Sequence, residues 1–145
     1  MLVNVHRSAL FVLAIVLSGC TFGAPSAVNN SSGATATIAV NLSNFLDGYS
    51  PDVLTVAVGT RVQFMNTDSF AHTATAIAGS TFPAASPFDE SALTPSGSVL
   101  STPWSSGSLN PGSASPVFVA DQAGTYLFGC FYHYGHPMRG EIIVQ

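Results

Sequence analysis

Apolar residues in this chain recur at every second position, and no long stretch recurs every 3.6 residues. In residues 61–66, Val62 and Phe64 fall on one face and the intervening side chains on the other. Comparable short segments cover residues 35–42, 53–58, 70–77, 99–104, 114–120, 124–131 and 140–144. Period two is the repeat of a β-strand with one buried face. The sequence therefore predicts an all-β fold, an antiparallel β-sandwich or barrel of about seven or eight strands.

Two connections between these segments are informative. Gly59-Thr60 separates residues 53–58 from residues 61–66, and this spacing predicts a β-hairpin. Residues 78–97 are rich in Ala, Ser and Pro and predict a long irregular excursion, with a short helix near residues 88–93. Nothing in the sequence assigns a role to this excursion.

The N-terminus has the layout of a lipoprotein signal peptide. Arg7 precedes an apolar run at residues 9–17 that is too short to cross a bilayer. The run leads into Leu17-Ser18-Gly19-Cys20, which resembles the lipobox of bacterial lipoproteins, where the cysteine is acylated and becomes the first residue. An ordinary signal peptide with a chance cysteine is the alternative. Several acyl chains on Cys20 would hold the protein stably at a membrane.

These features predict how the chain is divided and where it resides. We expect a signal peptide at residues 1–19, a lipidated Cys20 with a flexible tether over residues 20–33, and one folded domain over residues 34–145. The protein is then exported and anchored by lipid, in the periplasm or at the cell surface.

The charge balance excludes two kinds of partner. Once residues 1–19 are removed, Arg61 and Arg139 are the only cations beside seven acidic residues. Nucleic-acid binding requires clustered cations, and binding to an anionic bilayer through the protein surface requires a basic patch. We therefore expect no nucleic-acid partner, and attachment to the membrane through the lipid alone.

Cysteine usage gives the first indication of chemistry. Cys20 and Cys130 are the only cysteines, and lipidation of Cys20 leaves Cys130 without a disulfide partner. Compartments outside the cytoplasm oxidise exposed thiols, so a lone thiol there needs burial or a metal.

The segment that contains Cys130 also contains two other soft metal ligands. Cys130, His133 and Met138 fall within nine residues, between two predicted strands. Thiolate, imidazole and thioether together favour copper over calcium or magnesium. Two imidazoles and one thiolate in a plane, with a weak axial methionine, form a blue-copper (type 1) site. One further histidine is therefore required.

His72 and His136 are the candidates for the second imidazole. We assign it to His72, which lies in a distant loop after the predicted strand at residues 61–66. Alternatively, His136 could complete a zinc site with His72, Cys130 and His133. That arrangement would leave Met138 unused, and Pro137 makes it difficult for His136 and Met138 to point inward together. The predicted site is therefore one copper held by His72, Cys130, His133 and Met138.

These motifs are similar to those of the plastocyanin/azurin (cupredoxin) family, most closely its plastocyanin-like type 1 copper proteins. The resemblance covers about residues 34–145. It rests on Pro51-Asp52-Val53-Leu54-Thr55-Val56 with Gly59, Asn66 and His72, Ser106-Gly107-x-Leu109-x-Pro111-Gly112, and Gly124-Thr125-Tyr126 leading to Cys130, His133, Met138 and Gly140. The resemblance implies a Greek-key β-sandwich with one copper cycling between Cu(I) and Cu(II). By position, His72 and His133 would bind through ring nitrogens, Cys130 through its thiolate and Met138 through an axial sulfur.

The resemblance implies an electron carrier rather than an enzyme. Such a protein passes single electrons between a donor and an acceptor, such as a cytochrome or an oxidase, and we expect it to be a monomer. Three histidines in the mature chain are too few for the second copper site of a multicopper oxidase. The alternative is a surface copper-handling protein, although only Met65 and His136 remain as spare ligands. A metal-free structural sandwich is the third class.

Several features depart from the family pattern or stay open. Thr73 follows His72 where many members have Asn, so Thr73 would have to fix the loop through its hydroxyl or backbone. Gly129 precedes Cys130 where plant members have Tyr, and residues 78–97 look like an insertion. Tyr134 and Pro137 either pack around the metal or form an apolar rim at the exposed edge of His133.

Overall fold

The structure is a computed structural model that describes residues 33–43 and 48–145. The predicted signal peptide, Cys20 and almost all of the predicted tether lie outside the described residues. In the described part of the chain, no helix is long and apolar enough to cross a membrane.

The described residues form two β-sheets that pack as a sandwich. The strands are β1 (Thr35–Val40), β2 (Tyr49–Ser50), β3 (Val53–Val56), β4 (Arg61–Asn66), β5 (Thr75–Ile77), β6 (Pro95–Ser96), β7 (Ser105–Ser106), β8 (Phe118–Val119), β9 (Gly124–Gly129) and β10 (Arg139–Val144). A 3₁₀ helix, Glu90–Leu93, lies between β5 and β6. One sheet has the order β2-β1-β4-β8 and the other β3-β10-β9-β5-β7-β6.

The predicted all-β sandwich is confirmed, but its sheets are mixed rather than uniformly antiparallel. β1 runs parallel to β4, and β3 runs parallel to β10. The predicted hairpin at Gly59-Thr60 is wrong, because β3 and β4 belong to different sheets. The connection therefore crosses from one sheet to the other. Within it, the Gly59 amide donates to the carbonyl of Ala120 at 2.7 Å.

The described residues contain ten strands rather than seven or eight, because β2, β6 and β7, of two residues each, lie outside every predicted segment, whereas the predicted segment 99–104 contains no strand. A two-residue strand is too short to show the alternation from which strands are predicted. Of the predicted segment 70–77, only Thr75–Ile77 is a strand, since the preceding residues form a loop. The predicted short helix is the 3₁₀ turn, whose start is capped by Asp89 accepting from the Ser91 amide.

Aromatic side chains fill the space between the sheets. The alternation of β4 buries Val62 and Phe64, both 0% exposed. The ring of Phe64 contacts four others, with centroids between 5.1 and 6.3 Å away: Tyr49, Trp104, Phe118 and Phe128. Edge-to-face and stacked pairs of this kind stabilise a core beyond the area they bury. Cys130 and Met138 belong to the same buried cluster, so the core directly supports the predicted metal site.

Candidate metal centre

The hairpin of β9 and β10 presents three of the predicted ligands. The strands pair as far as Gly129 and Arg139, and the connection between them, residues 130–138, is called here the ligand loop. The Cys130 amide donates to the carbonyl of Met138 at 3.1 Å, which closes the base of the loop. Inside the loop, the His136 amide donates to the carbonyl of His133 at 2.9 Å. Cys130, His133 and Met138 therefore lie on one short, hydrogen-bonded turn.

His72 comes from the connection between β4 and β5, which crosses from one sheet to the other. Its backbone exchanges two hydrogen bonds with Leu109, of 3.1 and 2.7 Å. The Asn66 side-chain amide donates to the carbonyls of Phe70 and Leu109 at 2.7 and 2.8 Å. These bonds fix the position of His72 on the backbone of a neighbouring loop.

The structure brings His72, Cys130 and His133 together. Nδ1 of His72 lies 3.1 Å from Nδ1 of His133, and Sγ of Cys130 lies 3.9 and 3.6 Å from these two nitrogens. Metal–ligand bonds of about 2.0 Å to nitrogen and about 2.3 Å to sulfur would separate such atoms by about 3.5 to 3.7 Å in a trigonal plane. The observed separations lie on both sides of these values, so His72, Cys130 and His133 would hold one metal ion through two imidazoles and a thiolate.

Met138 is placed beside this group. Its side chain is 0% exposed and belongs to the same buried cluster as Cys130. The thioether packs on the backbone of Gly48, where a Cβ would lie 2.5 Å from Cγ and 3.0 Å from Sδ of Met138. A glycine at this position leaves the space that the thioether occupies.

Thr73, the residue after His72, links the segment that contains His72 to the ligand loop. Its amide donates to Sγ of Cys130 at 3.4 Å, and its hydroxyl accepts from the Phe131 amide at 2.9 Å. The Tyr49 hydroxyl donates to the Thr73 carbonyl at 2.6 Å. The prediction that Thr73 fixes the loop is confirmed, through both its hydroxyl and its backbone.

Asp68 is a contributor to the site that the sequence analysis missed. Its Oδ2 lies 3.0 Å from Nε2 of His72, and the side chains are 2% and 0% exposed. Burial by itself would raise the pKa of Asp68, but hydrogen bonds from His72, Ser69 and Ser43 outweigh it and lower the pKa to about 2. The carboxylate is therefore ionised and oriented toward the ring. An acid four residues before the ligand was the only sequence signal.

The electrostatics of the other ligands follow from their burial. Desolvation raises the pKa of the Cys130 thiol, and the hydrogen bond from the Thr73 amide opposes that shift. Partial burial lowers the pKa of His133, and the imidazoles of His72 and His136 lower it further. Both effects favour the neutral imidazole of His133, which is the form that binds metals.

The remaining residues near the ligands separate into two groups. His136 is exposed, and its ring centre lies 6.4 Å from that of His133, so it stands outside the group formed by His72, Cys130 and His133. Pro137 is exposed as well. Tyr134 is buried with 2% exposure, so it packs inside the protein rather than forming a rim.

Comparison with solved structures shows the same fold. A purple cupredoxin from Nitrosopumilus maritimus is 24% identical with a TM-score of 0.52, covering 76% of this chain and 99% of its own. Dithionite-reduced auracyanin from Roseiflexus castenholzii is 23% identical with a TM-score of 0.52, covering 79% and 99%. A methionine-to-glutamine mutant of amicyanin with Cu(I) is 22% identical with a TM-score of 0.50, covering 75% and 82%. No curated protein sequence shows significant similarity to the chain.

The family assignment rests on a match over most of the chain. The sequence profile of the copper binding proteins of the plastocyanin/azurin family matches residues 36–145. That range contains all four predicted ligands, and their chemistry fits one type 1 copper. The chain belongs to the plastocyanin/azurin family of copper-binding proteins.

Proposed function

We propose that this protein carries single electrons between redox proteins outside the cytoplasm, using one type 1 copper held by His72, Cys130, His133 and Met138. The observation that carries the proposal is the cluster of two imidazole nitrogens and one thiolate sulfur between 3.1 and 3.9 Å apart. Copper supplies the one-electron chemistry when it is bound, and the protein's residues hold the ligands still.

The burial of the ligands supports exchange of electrons rather than of substrates. His72, Cys130 and Met138 are each 0% exposed, whereas His133 is only partly buried. The three buried side chains offer no accessible surface to a small molecule, whereas an electron can leave through the exposed part of the His133 ring. Tyr132, which is 42% exposed, lies beside that edge with ring centres 6.1 Å apart.

Copper binding and electron transfer are tested in sequence. The full chain is expressed, loaded with Cu(II) and examined by visible spectroscopy, with Cys130→Ser as the ligand variant. We expect an intense blue band that bleaches reversibly on reduction and is absent from Cys130→Ser. The loaded protein is then mixed with membranes that contain reduced cytochromes. Rapid bleaching supports the carrier. Slow bleaching, with release of copper to an acceptor protein, would support copper handling instead.

The lipid anchor is a separate part of the proposal. It rests on Leu17-Ser18-Gly19-Cys20 after an apolar run. Cells that produce the full chain or Cys20→Ser are fed a labelled fatty acid and fractionated with a detergent that separates membrane proteins. We expect label and membrane association in the unmodified chain and neither in Cys20→Ser. Equal membrane association of both proteins would contradict the anchor.

A further inference from the structure

The insertion at residues 78–97 contacts the ligand loop through one buried tyrosine. Tyr134 follows His133 directly in the loop, and its hydroxyl donates a 2.7 Å hydrogen bond to the carbonyl of Pro83. The ring of Phe88 meets the ring of Tyr134 edge to face, with centroids 5.7 Å apart and planes at 89°. Two residues of the insertion therefore hold the residue next to a copper ligand.

The guanidinium group of Arg139 also packs against the ring of Tyr134. The guanidinium carbon of Arg139 lies 4.2 Å from the centre of the Tyr134 ring and 6.0 Å from that of Phe82. Nη2 of Arg139 also donates to the Tyr134 carbonyl at 3.4 Å. Arg139 is the first residue of β10, so the contact ties the loop to a strand as well as to the insertion.

Gly129 provides the space for this arrangement. A Cβ at Gly129 would lie 3.1 Å from Cδ2 of Tyr134 and 3.3 Å from Cε2 of Phe88. Both distances are tighter than ordinary van der Waals contact, so a larger side chain would displace the two rings. Gly129, which stands before Cys130 where plant members have Tyr, therefore leaves the space in which Phe88 of the insertion meets Tyr134.

The hydrogen bonds inside the ligand loop do not themselves fix the loop to the domain. The His136 and Met138 amides both donate to the His133 carbonyl, which links loop residues only to each other. Tyr132 reaches outward, with its hydroxyl 3.1 Å from Oγ of Ser108, but that contact is exposed to water. Thr73 fixes the start of the loop through the Phe131 amide. The Tyr134 side chain is buried and its bond to Pro83 is partly buried, so it constrains the centre of the loop more strongly than the exposed Tyr132 contact does.

We propose that residues 78–97 form a brace that, through Tyr134, holds the ligand loop in its metal-binding conformation before copper binds. Tyr134 is then a positioning residue for His133. Ligands that move little between Cu(I) and Cu(II) allow fast electron exchange. The importance of the brace for electron transfer therefore rests on the proposed function.

Amide hydrogen exchange of the copper-free full chain tests the brace. Tyr134→Phe keeps the ring and removes the bond to Pro83, Phe88→Ala removes the ring contact, and Tyr132→Phe is the matched control on the exposed side of His133. We expect the Cys130 and His136 amides to exchange about fivefold faster in Tyr134→Phe, the factor of one net hydrogen bond. The acceleration in Phe88→Ala should be at least as large, and Tyr132→Phe should stay within about twofold of the unmodified chain.

Local and global effects are separated by the amides of β4, which lie in the sandwich core. Equal acceleration of the loop and β4 amides, or unchanged loop amides in both brace variants, would overturn the proposal. If Tyr134→Phe does not fold, the exchange rates of Phe88→Ala alone test the brace. Phe88 is only half-buried, so we expect this variant to fold.

Electron self-exchange of the copper-loaded proteins, followed by NMR line broadening, is a second measurement. We expect it to slow in Tyr134→Phe but not in Tyr126→Phe, which removes a similar bond from a tyrosine hydroxyl to a carbonyl, that of Gln122, outside the ligand loop. Equal rates in the two variants would count against the brace. Neither measurement uses a redox partner. A protein that fails to react with membrane cytochromes would refute the carrier and leave the test of the brace intact.

Discussion

The carboxylate of Asp68 lies 3.0 Å from Nε2 of His72, on the side of the ring opposite the nitrogen that faces Cys130 and His133. Hydrogen bonds from the Ser69 amide at 2.7 Å and the Ser43 hydroxyl at 3.1 Å hold the carboxylate in place. A carboxylate bonded to the far nitrogen of a ligating histidine fixes the ring and raises its basicity. Asp68 therefore places a negative charge one ring away from the metal position.

Asp68→Asn should raise the reduction potential of the copper. The change keeps the shape of the side chain and removes a charge that stabilises Cu(II) more than Cu(I). A tenfold change in the ratio of the two affinities corresponds to about 59 mV for one electron, and we expect a rise of at least about that size. Potentiometric titration with visible detection measures it. Asp121→Asn is the control, because Asp121 also accepts from a serine but lies in a distant loop. Equal potentials in the two variants would show that Asp68 does not tune the copper.

The same carboxylate should make the copper-free protein sensitive to acid. Because the folded-state pKa of Asp68, about 2, lies below its ordinary value, the ionised group stabilises the fold above that ordinary value. This stabilisation is lost as the pH falls toward 2. The difference in unfolding free energy between the unmodified chain and Asp68→Asn should therefore shrink between about pH 5 and pH 2. Urea unfolding at a series of pH values measures it, and a constant difference would contradict the assignment.

Local spacing predicted the ligand loop better than it predicted the rest of the site. Cys130, His133 and Met138 could be assigned because a hairpin of two six-residue strands necessarily brings the ends of its loop together. His72 required a contact across 58 residues of sequence, which period and spacing do not encode. It was assigned by family order and by the exclusion of His136, and the structure places it with the other two ligands.

The features that could not be predicted from the sequence depend on how loops cross between the sheets and what those loops contact. Alternation identifies β4 because six residues bury one face, but it does not say which sheet the next strand joins. The crossing at Gly59 therefore looked like a hairpin. Asp68 could not be distinguished from a surface acid, since its burial depends on its contact with His72. Residues 78–97 have no period, and their role depends on contacts with Tyr134 that only the folded chain shows.

Thr73→Val should weaken the contact between the segment that contains His72 and the ligand loop. Valine has the shape of threonine but cannot accept the hydrogen bond from the Phe131 amide, which lies next to Cys130. A partly buried donor left without its acceptor costs about 1–3 kcal/mol. We expect urea unfolding to show a loss in that range, whereas Thr73→Ser retains the hydroxyl and should lose much less. A loss of the same size in Thr73→Ser would mean that the methyl group, not the hydrogen bond, matters at this position.

Gly48→Ala should disturb the axial side of the site, because Gly48 serves two purposes at once. Its backbone has a φ of +77°, which costs an alanine about 1–2 kcal/mol, and its missing side chain leaves room for Met138. An added methyl group would fall 2.5 Å from Cγ of Met138 and push the thioether aside. We expect reduced stability in urea and a visible spectrum altered in the copper-loaded protein.

Gly112→Ala separates the two causes in that experiment. Gly112 has a φ of +75°, and a Cβ there would meet no atom within 4 Å, so this variant carries the backbone cost alone. Gly112→Ala should lose stability but keep the spectrum of the unmodified protein. The spectral change should therefore belong to Gly48→Ala only, because only that methyl group reaches Met138. If Gly48→Ala also keeps the unmodified spectrum, the sulfur of Met138 is not a ligand of the copper.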